Sequence, residues 1–219
     1  MPKKKKNMKD TVSIFEILNI KAKLKRLNKP RLLLALYSEP KDSGSPHYAL
    51  FVTPKFKPRS RNPKKEVEPI EGTKYHIKRV TKRTDGVITQ PWCFEEVDVP
   101  DLDRDVGVLV CTVIGKVLSM EKLKEVIPDI HIYQSDDRIQ FKARDFDSKM
   151  WCHDTFDELW KTKAVVAMDW RTAEGGTRAF LDQKHGEGRW TQAITSEYRN
   201  TPCVPIVDLM AGSIVRGYM

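Results

Sequence analysis

Several large protein classes are excluded by features missing from the chain. No apolar run approaches the ~20 residues that a membrane-spanning helix needs. No apolar stretch follows the N-terminal lysines, so a secretory signal is not expected. Cysteine is scarce: Cys93, Cys111, Cys152 and Cys203 are the four in 219 residues. That is too few for a disulfide scaffold, and no CxxC or HxxxH pair marks a closed metal site. The expectation is a reducing, intracellular protein with no metal, cofactor or membrane partner. A cytoplasmic location follows, with a nuclear one open through the lysine run Lys3 to Lys6.

Charge is plentiful and unevenly placed. Residues 1–84 hold 23 Lys and Arg against 7 Asp and Glu, a net +16. Residues 85–219 hold 16 against 23, a net −7. Such a split favours a polyanionic partner for the first part. Its cations fall in two groups. Lys21, Lys25 and Arg26 sit late in a helix expected to run from about Thr11 to Leu27, with Val12, Phe15, Leu18, Ile20 and Leu24 as its apolar stripe. Lys55, Lys57, Arg59, Arg61, Lys64 and Lys65 crowd a proline-rich loop over 54–69, too long for a simple connection.

Pro30 ends the first helix, and strands are then expected over 31–38, 47–53, 74–81, 87–99 and 106–117, the fourth irregular around Pro91. Thr84-Asp85-Gly86 reads as a turn. Helices are expected over 120–127, over 149–162 behind Asp147 or Ser148 as cap, and over 172–184, where Gly175-Gly176 weaken the pattern. Residues 131–145 suggest an inserted hairpin, and the chain from Gly186 on suggests wrapping coil. The fold class is α+β: an antiparallel sheet of about five strands packed against helices. Its organisation is a basic tail and helix over 1–29, a catalytic domain over 30–185, and a C-terminal extension over 186–219.

Three residues suggest chemistry. His47 opens a strand after a Gly/Ser/Pro turn, His76 lies in the next strand, and Cys152 lies near a helix start. A thiol becomes a nucleophile as its thiolate, which a helix N-terminus and a neighbouring imidazole both favour. If the sheet sets the start of 47–53 against that helix, His47 is the base for Cys152. His76 then holds the first imidazole in its tautomer. Against this, a cysteine between Trp151 and Phe156 is ordinarily a packing residue.

The order of these elements resembles the permuted papain-like superfamily of lecithin:retinol acyltransferase and NlpC peptidases. HYALFVT, GTKYHIKR and WCHDTF stand where that family has its base, its orienting histidine and its nucleophile. The chain also resembles, over about residues 30–185, a group of small fungal proteins of unassigned function. The stretches PRLLLALYS, PHYALFV, VGVLVCTVIGKV, MWCHDTF and AMDWRTA carry that likeness, although Trp151 replaces the Asn that precedes the nucleophile there. The superfamily implies thiol-mediated acyl transfer or amide hydrolysis. Joined to the basic first part, this points to an aminoacyl-tRNA as acyl donor and peptide-bond formation, of the kind made by fungal arginine-containing cyclodipeptide synthases. That likeness implies a guanidinium group in the substrate, for which Asp154, Asp157, Glu158 and Asp169 of the acidic part are candidate partners, although each by itself reads as an ordinary solvated face. The alternatives are a cysteine hydrolase of the same fold (a peptidase, deamidase or isopeptidase) and a non-catalytic RNA-binding protein.

Overall fold

The computed structural model describes residues 28–38, 45–56, 68–135, 137, 145–189 and 203–216. The expected helix over 11–27 and most of the basic loop lie outside these residues, as does much of the expected hairpin over 131–145. Residues 131–134, which are described, form no strand.

The core begins with the apolar run RLLLALY, strand β1 (Arg31–Tyr37), which is buried along its whole length. A strand with both faces apolar fits only the middle of a sheet covered on both sides. β1 accordingly pairs antiparallel with β2 (His47–Thr53) on one side and β7 (Val108–Val117) on the other. Strand β3 (Gly72–Arg79) follows β2, and β6 (Trp92–Val99) closes that edge. Between β3 and β6 the chain forms a separate two-stranded arm, β4 (Lys82–Thr84) and β5 (Val87–Thr89). Its turn is Asp85-Gly86, both at positive φ (51° and 81°), the backbone that joins hairpin strands without splaying them. Pro91, which has no N–H to give a ladder, falls where the expected fourth strand divides into β5 and β6.

The sheet is larger than the expected five strands. Strand β8 (Val165–Ala167) pairs with β7. The stretch expected as coil contributes β9 (Ile206–Asp208), parallel to β7, and β10 (Ser213–Arg216). Among the described residues the main sheet has eight strands, in the order β10-β9-β7-β1-β2-β3-β6 with β8 off that path. The architecture is α+β with a mostly antiparallel sheet.

Alternation along the strands divides the core in two. Leu32, Leu34 and Leu36 of β1 join Tyr48 and Leu50 of β2 and Tyr75 and Ile77 of β3. That face is covered by α1 (Met120–Val126), α2 (Ser148–Lys161) and α3 (Trp170–Gly186). Leu33, Ala35, Tyr37, Ala49 and Phe51 point to the other face, covered by Ile70, Leu102 and Val204 from connecting segments. The glycines expected to weaken α3 lie within it. At Gly176 the helix approaches the chain beyond β9 so closely that a Cβ would stand 2.9 Å from Leu209.

Candidate active site

His47 is the first residue of β2, directly opposite Tyr37 of β1. Its parity is that of Ala49 and Phe51, so its ring lies on the loop-covered face, edge-on to Tyr37. His76 alternates with the core residues Tyr75 and Ile77 and lies on the same face as His47. The two rings meet, with Nε2 of His47 3.1 Å from Nδ1 of His76. The other nitrogen of His76, Nε2, is 3.0 Å from Oε2 of Glu95, its cross-strand partner in β6. Lys78 donates to the second oxygen of that carboxylate at 2.7 Å.

Cys152 is elsewhere. On α2 it belongs to the buried stripe Trp151, Cys152, Thr155, Phe156 and Leu159, which packs on the helix-covered face with Tyr48, Leu50, Tyr75 and Ile77. The sheet therefore stands between the thiol and both histidines, and the expected pairing of Cys152 with His47 is not formed. The start of α2 does reach β2: Ser148 Oγ accepts from the Tyr48 N–H at 3.0 Å. That contact brings the right elements together with the wrong faces, because residues 47 and 48 point to opposite sides of the sheet. The thiol also lies past the first helical turn, which Asp147 caps by accepting from the Met150 N–H, and the helix dipole fades within that turn. Burial, with Asp147 adding to it, pushes the Cys152 pKa well above its ordinary value. At neutral pH Cys152 is a protonated core residue.

The histidines are neutral for related reasons. Burial lowers the His47 pKa to about 4, helped by His76 and by the ammonium of Lys74. Burial also lowers that of His76, although Glu95 acts against it. Glu95 is held below the usual carboxylate range, first by its bond from Lys78. An ionised Glu95 can only accept, so His76 donates through Nε2 and accepts at Nδ1. His47 then donates through Nε2, and its basic nitrogen is Nδ1. These tautomers follow from the partners.

A second ionic group adjoins the first. Lys74 Nζ bonds both carboxylate oxygens of Asp105, at 2.8 and 2.9 Å, and stands 4.8 Å above the Tyr37 ring. The Tyr37 hydroxyl donates to Asp105 at 2.7 Å. Asp105 reaches this place through a turn at Gly107, whose φ of 86° suits glycine, and whose carbonyl accepts from the Ser38 N–H.

The other expected site residues are dispersed. Asp154, Asp157 and Glu158 line a cavity of about 330 Å³ with Asp129 and His131. Two of the three already face His153, and Glu158 faces Lys161 at 3.4 Å. Asp169 does not join them: its carboxylate caps α3 by accepting from the Thr172 N–H at 2.9 Å. Lys55 donates to Asn28. Lys21, Lys25, Arg26, Lys57, Arg59, Arg61, Lys64 and Lys65 lie outside the described residues. Among the described residues no group of three His, Cys, Asp or Glu side chains is arranged to hold a metal ion.

Sequence reasoning missed Glu95, Lys74, Asp105 and Tyr37. For Glu95 a signal existed. His76 lies nine residues before Asp85 and Glu95 nine after Gly86, so a two-residue turn at Asp85-Gly86 sets them opposite each other. The contacts of Asp105 with Tyr37 and Lys74 cross three segments and left no local signal.

Comparison with known proteins identifies one family: residues 29–214 match a model described as "Family of unknown function (DUF6914)". No curated protein and no solved structure matches the chain.

Proposed function

The chain belongs to this family of unknown function, DUF6914, and we propose that it is an enzyme of acyl transfer whose general base is His47. The observation that carries this reading is the continuous chain from His47 through His76 to Glu95. A neutral imidazole backed by a second imidazole and an ionised carboxylate can accept a proton, because the charge that develops is spread toward the carboxylate. The superfamily resemblance supports the same positions for the base and its orienting partner.

The nucleophile in this reading comes from the substrate. An amine approaches an activated acyl ester, and its nitrogen bonds to the acyl carbon. The N–H proton passes to Nδ1 of His47. The ester C–O bond breaks, and the departing oxygen takes the proton back. His76 keeps the imidazole in its productive tautomer, and Glu95 stabilises the transient positive charge. Cys152 forms no thioester here. Hydrolysis is the same sequence with water in place of the amine.

The donor is proposed to be an aminoacyl-tRNA, an ester on a polyanion. Support comes from the +16 of residues 1–84, since neutralised phosphates release counterions and drive binding. The test is expression in bacteria with metabolite analysis of wild type, His47→Ala, Glu95→Gln and Cys152→Ser. New amides or cyclic dipeptides are expected from wild type and Cys152→Ser, and neither from His47→Ala nor at wild-type level from Glu95→Gln. Products that vanish in a folded Cys152→Ser protein would return the thiol to the mechanism and remove this one. A shift assay with tRNA at two salt concentrations tests the donor separately.

A further inference from the structure

Beyond His76 and Glu95, the ribbon of β3 and β6 leads out of the main sheet into the arm β4–β5. The arm is tied at its base, where the Val80 N–H donates to the Pro91 carbonyl at 3.0 Å. Every residue of both its strands is exposed. Val87 and Ile88 are 62% and 66% accessible, so the arm is seated in neither core. A two-stranded hairpin that buries nothing is marginal by itself. Its charge is mostly of one sign: Arg79, Lys82 and Arg83 stand against a single acid, Asp85. Lys82 and Arg83 form no ion pair among the described residues. We propose that this arm is the surface that holds the phosphate backbone of the tRNA donor, a proposal that rests on the aminoacyl-tRNA reading of the site.

Position supports this partner. The chain runs from His76 straight into Lys82 and Arg83, and so short a stretch spans at most about 25 Å. An RNA whose esterified end reaches His47 therefore passes within reach of the arm. Charge placement supports it too. Lys82 and Arg83 are successive residues of one strand, so they point to opposite faces. Both faces of the arm are thus cationic, which suits a place between two rows of phosphates. An anionic bilayer matches less well. Arg83 lies directly opposite Ile88, and Asp85 stands in the turn. Charges would enter the hydrocarbon together with the aliphatic side chains, at high cost.

Fluorescence anisotropy of labelled, unfractionated tRNA with the full chain, at several salt concentrations, tests the proposal. The double variant Lys82→Ala/Arg83→Ala alters exposed side chains alone, so its melting temperature should match wild type. It is expected to bind tRNA at least tenfold more weakly. The slope of log affinity against log salt should fall by about two. Lys122→Ala/Lys124→Ala removes the same charge from exposed positions of α1 and should change binding less than threefold. Equal losses in the two variants, or none in the first, would overturn the assignment of the arm and leave the tRNA donor standing. Failure of wild type to bind tRNA at low salt would remove the donor, and the role of the arm with it. If the arm variant keeps its tRNA affinity but loses binding to vesicles of phosphatidylcholine and phosphatidylserine, the arm is a membrane contact and the proposal is wrong.

Discussion

Replacing Cys152 by serine separates the two chemistries most directly. The side chain is fully buried, in a cluster with Trp151, Phe156 and Tyr75. A serine there exchanges a weakly polar sulfur for a hydroxyl, and an unpaired buried hydroxyl costs about 1–3 kcal/mol. This helix offers a remedy. Thr155 on the same buried face donates its hydroxyl to the Trp151 carbonyl four residues back at 2.7 Å, and Thr177 does the same to Ala173. The introduced hydroxyl can bond the Ser148 carbonyl in the same way, so the cost falls to about 1 kcal/mol, at the low end of that range. For a chain of this size that lowers the melting temperature by about 2–4 °C. Calorimetry measures that shift, and the metabolite assay reads the activity, which is expected to persist. Alkylation gives the companion measurement. A thiol with a raised pKa in an apolar core should resist iodoacetamide at pH 7 until the protein unfolds, while the half-buried Cys93 and Cys203 react first. Rapid modification of native Cys152, or loss of activity in a folded Cys152→Ser protein, would refute the placement of the chemistry on the other face.

Acidification should weaken the fold through His47. The unfolded imidazole takes up a proton below its ordinary pKa of 6.5, whereas the folded one refuses it until about pH 4. Stability is therefore full above pH 6.5 and falls as pH drops through that window, by about 3 kcal/mol for a shift of this size. Urea melts at pH 7 and pH 4.5 measure it, and a His47→Asn variant should show a shallower loss; equal slopes would show that His47 is not the group responsible. Gly72→Ala should destabilise by about 1–3 kcal/mol, since its Cβ would meet the Val52 carbonyl oxygen and the Phe51 ring; an unchanged denaturation midpoint would contradict that close approach. Asp147→Ala removes the cap of α2 and should cost about 1 kcal/mol, with Asp147→Asn recovering most of it in the same melts.

Much of the fold was legible because its signals are local. The run RLLLALY could only be a strand buried on both faces, and it lies at the centre of the sheet. The turn Asp85-Gly86 sets the register from Gly72 to Val99 in one stroke. Ser119 and Asp147 stand where capping residues are expected, each accepting from an amide three positions on; Asp169 caps α3 in the same way, a role its sequence reading as a guanidinium partner did not foresee. The addition of β9 and β10 was not legible, because short strands pair through partners distant in sequence.

Local residue patterns were enough to put His47 and His76 on neighbouring strands and Cys152 near a helix start. Spacing along a chain reports which elements exist. It does not report which face of the sheet each side chain will occupy when two elements pack. That was decided by the pleat and by the side on which α2 lands. Tyr48 and Leu50 face the helix, so His47 between the turn and Tyr48 must face away from it. A one-residue difference in parity thus sends the imidazoles to Glu95 and leaves the thiol in the core.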